Sequence, residues 1–193
     1  MSFDTLDYLA PDAFEVRISE LVVATSDGAD ALVDPCVSEV LRLVKDQFQM
    51  DVVFVSEFVD GRRVFRRVET RPGAAVISEG GSSPLEEGYC RRIVDGRLPR
   101  LIHDVASLPN RAELPPTDFP IGAHMSTPIV LTDGRVYGTF CCFSFSANLA
   151  LTERDLRKLE MCAQLAARKI DAQRGRELEE RRKRSDGLRC GKR

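Results

Sequence analysis

The fold class that this sequence predicts is α+β, with a central antiparallel sheet of five to six strands. Helices from both chain ends should cover one face of the sheet, and a helix with a long loop should cover the other. Three observations predict this. Asp60–Gly61 and Asp133–Gly134 each separate β-rich segments, as in tight hairpins. Apolar residues recur at helical spacing near both chain ends. The segments around Asp133–Gly134 are apolar at nearly every position, so both sheet faces need a cover.

Two helices are expected at the start of the chain. The first begins at Pro11–Asp12 and ends before Ser26–Asp27–Gly28, and its apolar stripe comprises Phe14, Ile18, Leu21 and Val22. The second follows Asp34–Pro35, because Asp is a favourable cap and Pro fits the first helical position. Its stripe comprises Val37, Val40, Leu41, Val44 and Phe48. Both helices are expected on the same side of the sheet.

Two strands and a loop follow. The first strand is Val52–Val59 and the second is Val64–Glu69, joined by the turn at Asp60–Gly61. The second strand carries arginines on one side, which is typical of an exposed edge. Arg71–Pro84 is rich in Gly, Ser and Pro, and this composition predicts a mobile loop.

The middle of the chain predicts the cover of the second sheet face. A helix is expected over Pro84–Val94, with Ser83 as its cap and Glu86 three residues later as a capping box. A strand is expected over Leu98–Asp104. The segment Val105–Pro120 contains four prolines and predicts a loop that lies over the sheet.

The last elements are a hairpin and a helix. The hairpin strands are Met125–Leu131 and Val136–Phe145, and the helix is capped by Thr152. Its apolar face comprises Leu156, Leu159, Cys162, Ala163, Ala166 and Ile170. The helix is expected to continue to Lys183 and to leave residues 185–193 disordered. The predicted units are therefore residues 1–30 as an N-terminal helix, 31–171 as the domain, and 172–193 as a basic extension.

Charge and composition limit the classes of function. The 193-residue chain has a net charge of −2 and 43% hydrophobic residues, enough for a real core. From Arg174 onward nine basic and four acidic residues give +5, so the preceding part carries −7. We expect a cytoplasmic location because residues 1–8 contain two Asp and no basic residue, unlike a signal peptide. We also expect no membrane span, and the small net charge argues against general nucleic-acid binding. The six cysteines have no metal-type spacing.

Three segments together resemble GAF domains, and those that accompany EAL cyclic-di-GMP phosphodiesterase modules in particular. They are EGYCRRIVDGRLPRLIHDV, ELPPTDFPIGAHMSTPIVLTDGRVYGTFCCFSF and LTERDLRKLEMCAQLAARKI, within Val37 to Ile170. The resemblance implies a GAF-like sheet and a small-molecule pocket under the 84–120 cover. It also implies coupling through the terminal helices to a partner, such as a cyclic-di-GMP effector, and a homodimer formed by those helices. No EAL segment precedes Arg193, so the chain is either a free-standing sensor or part of a longer protein.

The candidate ligand-binding residues lie along the predicted cover and the adjacent strands. Tyr89 and Cys90 are on the cover helix, and Cys90 is either a reactive thiol or a packing residue. His103 and His124, the two histidines, could bind an anion, ligate haem iron, transfer protons or serve structure alone. The set comprises Tyr89, Cys90, His103, Asp104, His124, Ser126 and Cys141. Strand alternation puts His124 and Ser126 on one face, and it puts Cys141 and Cys142 on opposite faces.

The sequence therefore predicts a non-enzymatic sensory or regulatory domain with an unidentified small-molecule ligand and no assigned cofactor, metal or catalytic residue. Two alternatives stay open. One is a free methionine-(R)-sulfoxide reductase, although the spacing of Cys90 and Cys141 does not suggest the cysteine cluster of that family. The other is a haem sensor with His103 or His124 as the iron ligand. The Cys-His dipeptide of bilin-binding relatives and the NKFDE residues of cyclic-nucleotide-binding GAF domains are both absent from the sequence.

Overall fold

A computed structural model describes residues 13–24, 33–86 and 88–190. Two 3-10 turns, Val105–Ser107 and Arg111–Glu113, lie in the long connection before β5. The helices and strands, in chain order, are α1 (Ala13–Ala24), α2 (Val33–Gln47), β1 (Val52–Val59), β2 (Arg62–Thr70), β3 (Ser82–Pro84), α3 (Tyr89–Val94), β4 (Leu101–Ile102), β5 (Ala123–Val130), β6 (Val136–Ser144) and α4 (Glu153–Cys190).

The six strands form one antiparallel sheet in the order β3-β2-β1-β6-β5-β4. Both predicted Asp-Gly turns are present, and each uses positive backbone angles. Asp60 and Gly61 have φ of 50° and 70°, and Gly134 has φ of 80°. The strands that flank these turns lie at the centre of the sheet or next to it. The predicted sheet of five to six strands is therefore confirmed.

Helices α1, α2 and α4 pack on one face of the sheet, as predicted. The stripe of α2 and the apolar face of α4 meet the inward residues of β1, β5 and β6 in a continuous core. Fully buried members of this core include Leu41, Val44, Met125, Phe140 and Leu159. Thr152 and Asp155 form the predicted capping box, since Thr152 N donates to Asp155 Oδ2 at 2.9 Å and Asp155 N donates to Thr152 Oγ1 at 3.3 Å.

The opposite face is covered by α3 and by the long connection before β5. Cys90 of α3 packs with Phe54, Phe65, Cys141 and Phe143 of the sheet, and Phe119 and Ile121 of the connection pack against the same group. The predicted two-sided arrangement, with the chain-end helices opposite the 84–120 cover, is therefore present.

The predicted helix over Pro84–Val94 is wrong in its first half. Ser82–Pro84 instead forms β3, with Ser83 paired to Arg63 of β2. Gly88 has φ −101° and ψ 147°, an extended conformation that confines α3 to Tyr89–Val94. The added strand also corrects the expectation that β2 is a sheet edge, because β3 covers its outer side.

Three other boundaries differ from the predictions. Of the strand expected over Leu98–Asp104, only Leu101–Ile102 forms, because the chain first turns back on α3, where Leu98 N donates to Arg92 O at 3.1 Å. The expected disorder of residues 185–193 is wrong for 185–190, which continue α4. The predicted signals at Pro11–Asp12 and Ser26–Asp27–Gly28 lie outside the described residues.

Candidate functional site

Five of the seven predicted site residues meet beneath α3. The register of β5 and β6 pairs Ser126 with Cys141, and the side chains of His124, Ser126 and Cys141 lie on the α3 side of the sheet. From the opposite direction Cys90 approaches Cys141, with 3.2 Å between the two Sγ atoms. Tyr89 packs against His124, with 5.4 Å between ring centroids. The predicted separation of Cys141 and Cys142 onto opposite faces is confirmed, because Cys142 lies in the helix-side core.

Polar groups surround both sulfur atoms. Ser126 Oγ lies 2.8 Å from Cys141 Sγ, and the Cys141 thiol donates to Thr139 Oγ1 at 3.1 Å. Arg63 Nη1 donates to Cys90 Sγ at 3.2 Å. The Arg63 guanidinium lies 5.0 Å from the centroid of the Phe65 ring, where the π-system favours a cation. A fixed positive charge is thus held next to a buried thiol.

The two thiols differ in acidity. A hydrogen bond from Cys141 and the charge of Arg63 hold the pKa of Cys90 well below its usual value, although burial opposes them. Burial and the adjacent Cys90 sulfur raise the pKa of Cys141 well above its usual value. Burial alone raises the pKa of Cys162, on the helix side, to about 12. Cys90 is therefore the more acidic thiol of the pair.

His124 is nearly inaccessible, with 2% of its surface exposed. Among the described residues no partner lies in hydrogen-bonding geometry with its buried Nδ1. A ring nitrogen of His124 and the sulfurs of Cys90 and Cys141 all lie within 4.8 Å of one another. An imidazole and two thiols at this separation form a set that could hold a metal ion.

The predicted ligand pocket beside this cluster is nearly filled by the protein's own side chains. It holds about 40 Å³, an order of magnitude below the roughly 300–1,000 Å³ of typical ligand pockets. Phe119 stacks on Phe143 with 5.4 Å between ring centroids, and Phe54, Phe65 and Ile77 also line the space. A ligand larger than a few atoms enters only if the segment that carries Phe119 moves.

His103 and Asp104 lie outside this cluster and have structural contacts. His103 Nε2 is 2.9 Å from the carbonyl oxygen of Leu151, which ties β4 to the start of α4. Asp104 Oδ1 accepts from Ala106 N at 2.9 Å and caps the first 3-10 turn. These positions therefore do not support His103 as a haem ligand or Asp104 as a ligand-binding residue.

A second cavity, which sequence reasoning missed, lies on the helix side of the sheet and has a volume of about 430 Å³. Glu57 of β1 lines it, and its carboxylate oxygens lie 2.6 Å from Arg66 Nε and 3.3 Å from Arg174 Nη2 of α4. Burial and the nearby Glu57 carboxylate raise the pKa of Tyr137 to about 12. Glu57, the one charged residue of β1, is the signal that could have indicated the cavity. Its lining comprises Val37, Val55, Glu57, Arg66, Arg67, Tyr137, Ala166, Lys169, Ile170, Gln173, Arg174 and Glu177.

Comparison with known proteins identifies the family of this fold. The family GAF_2, described as GAF domain, matches residues 27–171. A comparison with curated protein sequences finds no match. The GAF domain of Acinetobacter phosphoenolpyruvate-protein phosphotransferase is 14% identical, with a TM-score of 0.63 over 85% of this chain and 96% of that one. The phycocyanobilin-bound GAF domain of a cyanobacterial phytochrome is 14% identical, with a TM-score of 0.64 over 84% and 96%.

A third similar structure corrects a prediction. The free methionine-R-sulfoxide reductase of Neisseria meningitidis, in complex with its substrate, is 16% identical, with a TM-score of 0.62 over 84% of this chain and 90% of that one. An enzyme therefore has this fold, and the expectation that the chain is not an enzyme is wrong as an inference from its architecture. Among the described residues, no helix is both long enough and apolar enough to cross a membrane.

Proposed function

The chain belongs to the GAF domain family, and on this basis we propose that it is a sensory or regulatory domain that binds a small molecule and passes the bound state to a partner through α4. The observation that carries the proposal is the cavity of about 430 Å³ whose lining is shared by β1, β2, β6 and α4. Its volume is within the roughly 300–1,000 Å³ of ligand pockets. A molecule bound there would contact both the sheet and α4.

The lining favours an anionic ligand. Arg66, Arg67, Lys169 and Arg174 outnumber the acidic residues Glu57 and Glu177. Arg174 also lies over Tyr137, with 5.0 Å from its guanidinium carbon to the ring centroid. An anion that draws Arg174 from Glu57 would therefore exchange a contact between α4 and the sheet for a contact with the ligand.

The extent of α4 supports its role in output. Leu156, Leu159 and Ala163 are buried against the sheet, whereas Leu178 is 61% exposed in the same continuous helix. Leu178 lies on the exposed, charged part of α4, where a helix of a second copy or of an effector could pack against it. We propose that the helix supports a homodimer, and that a cyclic-di-GMP effector is the partner suggested by the resemblance to EAL-associated GAF domains.

The first test is native mass spectrometry of the full chain as purified, followed by calorimetric titration with cyclic-di-GMP, GMP and inorganic phosphate. We expect at least one anion to bind, Lys169→Gln to weaken it and Arg111→Gln, at an exposed arginine in the cover of the opposite sheet face, to leave it unchanged. Binding should also alter hydrogen exchange in α4 beyond Asp171. The proposal would be refuted if the purified chain retains no molecule and none of the titrated anions binds. Equal binding by the two variants would also refute it.

The homodimer has its own test in light scattering coupled to size-exclusion chromatography. The full chain should be dimeric, and Leu178→Glu should shift it toward the monomer because a charge replaces the exposed apolar side chain. Glu179→Gln, which changes the neighbouring exposed residue, is the matched control. A monomeric wild-type chain would contradict the proposed dimer.

A second candidate function, reduction of a sulfoxide, is favoured by the Cys90–Cys141 distance of 3.2 Å. A dithiol can reduce methionine sulfoxide to methionine, and the two thiols become a disulfide while the oxygen leaves as water. The adjacent space of about 40 Å³ is too small for this substrate, so turnover requires displacement of the Phe119 segment. A thioredoxin-coupled assay that follows NADPH with free methionine-R-sulfoxide tests this function, and no turnover would eliminate it.

A further inference from the structure

Three soft or borderline ligand atoms converge beneath α3 from three different elements. They are the sulfurs of Cys90 and Cys141 and one ring nitrogen of His124, all within 4.8 Å of one another. Ligands that share one metal ion lie about 2.0–2.3 Å from it, so their mutual separations must be below about 4.6 Å. The three atoms here, all within 4.8 Å of one another, need at most a small shift to meet this limit. The strand pairings of His124 with Phe143 and of Ser126 with Cys141 hold two of the ligands in register.

His124 supplies an independent indication that a ligand belongs in this cluster. Its Nδ1 is buried and has no hydrogen-bond partner among the described residues, while the residue is 2% exposed. An unsatisfied buried polar atom costs about 1–3 kcal/mol, and native structures seldom leave one without a compensating role. Coordination of a metal ion through Nδ1 would remove this cost.

We propose that Cys90, Cys141 and His124 form a buried three-coordinate site for a soft monovalent metal ion, Cu(I). Two thiolates and one imidazole are a ligand set preferred by soft metals rather than by Mg²⁺ or Ca²⁺. Ser126 Oγ and Thr139 Oγ1, at 2.8 and 3.1 Å from the Cys141 sulfur, provide hydrogen bonds that would orient that ligand. The proposal does not depend on ligand binding in the cavity of about 430 Å³ that α4 lines on the other sheet face.

Charge balance selects the monovalent ion. Arg63 Nη1 lies 3.2 Å from Cys90 Sγ and adds one positive charge to the site. Two thiolates, one guanidinium and Cu(I) sum to zero, whereas Zn²⁺ in the same place would leave a net charge of +1. An uncompensated charge is costly in a site walled by Phe54, Phe65 and Phe143. Both cysteines would bind the ion as thiolates, and any proton on either sulfur is released to solvent when it binds.

The geometry requires one local adjustment. At metal–sulfur distances of about 2.3 Å and angles near 120°, the two sulfurs would be about 4 Å apart. They are 3.2 Å apart in the structure, so a small rotation of one side chain must separate them. The space of about 40 Å³ that His124 and Tyr89 line lies beside the cluster and leaves room for this rotation.

The test is anaerobic titration of the reduced full chain with Cu(I) in competition with bicinchoninate. We expect one tightly bound equivalent, a sulfur-to-copper absorption band in the near ultraviolet, and an X-ray absorption spectrum that fits two sulfurs and one nitrogen. Cys90→Ser and Cys141→Ser should each weaken binding at least about 100-fold. Cys162→Ala removes a buried thiol from the other sheet face and should bind as the wild type does.

Circular dichroism establishes whether each serine variant folds, and the metal–ligand spectrum of the wild-type chain tests the proposal without any variant. Failure to bind Cu(I), equal loss in the Cys162→Ala control, or a spectrum without a nitrogen ligand would overturn the assignment. Tighter binding of Zn²⁺ than of Cu(I) at the same residues would overturn the monovalent ion. A mass decrease of two hydrogens in air without Cu(I) binding would identify a disulfide pair instead.

Discussion

Gly138 lies on β6 opposite Glu57 of β1, and its replacement by alanine should destabilise the domain severely. An ideal Cβ on Gly138 would lie 1.9 Å from the carbonyl oxygen of Ser56 and 2.9 Å from Cα of Glu57. A carbon and an oxygen need about 3.3 Å, so the strands would have to separate locally by about 1.4 Å. The obstructing atoms are backbone, and no side-chain rotation can relieve the clash.

The magnitude follows from what that separation disrupts. Loss of two backbone hydrogen bonds between β1 and β6 costs about 1–3 kcal/mol. Overpacking in a rigid interior adds about 1–3 kcal/mol. We therefore expect Gly138→Ala to lower the free energy of unfolding by about 2–6 kcal/mol, a large part of the roughly 5–15 kcal/mol that stabilises a domain.

Urea denaturation followed by circular dichroism measures this change. Gly175→Ala is the matched control, because Gly175 lies in the exposed part of α4 and no atom lies within 4 Å of its ideal Cβ. Alanine should stabilise the helix there by about 0.5–1 kcal/mol. A loss below about 1 kcal/mol in Gly138→Ala would show that β6 can move away from β1, contrary to the reasoning.

Three further perturbations test other parts of the structure. Thr139→Val removes the partner of the buried Ser56 hydroxyl, 2.9 Å away, and should cost about 1–3 kcal/mol in urea denaturation, part of which the double variant with Ser56→Ala recovers. Thr152→Ala deletes the α4 cap and should cost about 1 kcal/mol, whereas Thr152→Ser should be neutral. Tyr137, with its pKa raised to about 12, should ionise later than a free tyrosine in an absorbance titration at alkaline pH. Because the folded state retains this proton, the free energy of unfolding should fall as pH rises from 10 toward 12, and less so in Tyr137→Phe.

Much of the site was predictable because each residue's face follows from local periodicity. Alternation along β5 and β6 indicated that His124 and Ser126 share a face and that Cys141 and Cys142 do not. Helical spacing indicated which side of α4 is buried. These patterns involve residues a few positions apart, and their physical cause is the fixed geometry of each backbone element.

The meeting of Cys90 with Cys141 could not be inferred in the same way. The two residues are 51 positions apart, and their spacing suggested no cluster, yet their sulfurs lie 3.2 Å apart. Their contact depends on where α3 begins. It begins at Tyr89, because Ser82–Pro84 lies in β3 and Gly88 is extended. The sequence pattern favoured a longer helix, because the signals at Ser83 and Glu86 match a capping box equally well.

By itself the sequence determined the α+β class, both Asp-Gly hairpins and the apolar faces that build the two-sided sheet. Only the tertiary structure decided which interior groups are neighbours: Arg63 beside Cys90, His124 beside the thiols, and Arg174 of α4 beside Glu57 of β1. The reason is that burial is set by local periodicity, whereas a contact between distant segments depends on strand register and on the packing of whole elements.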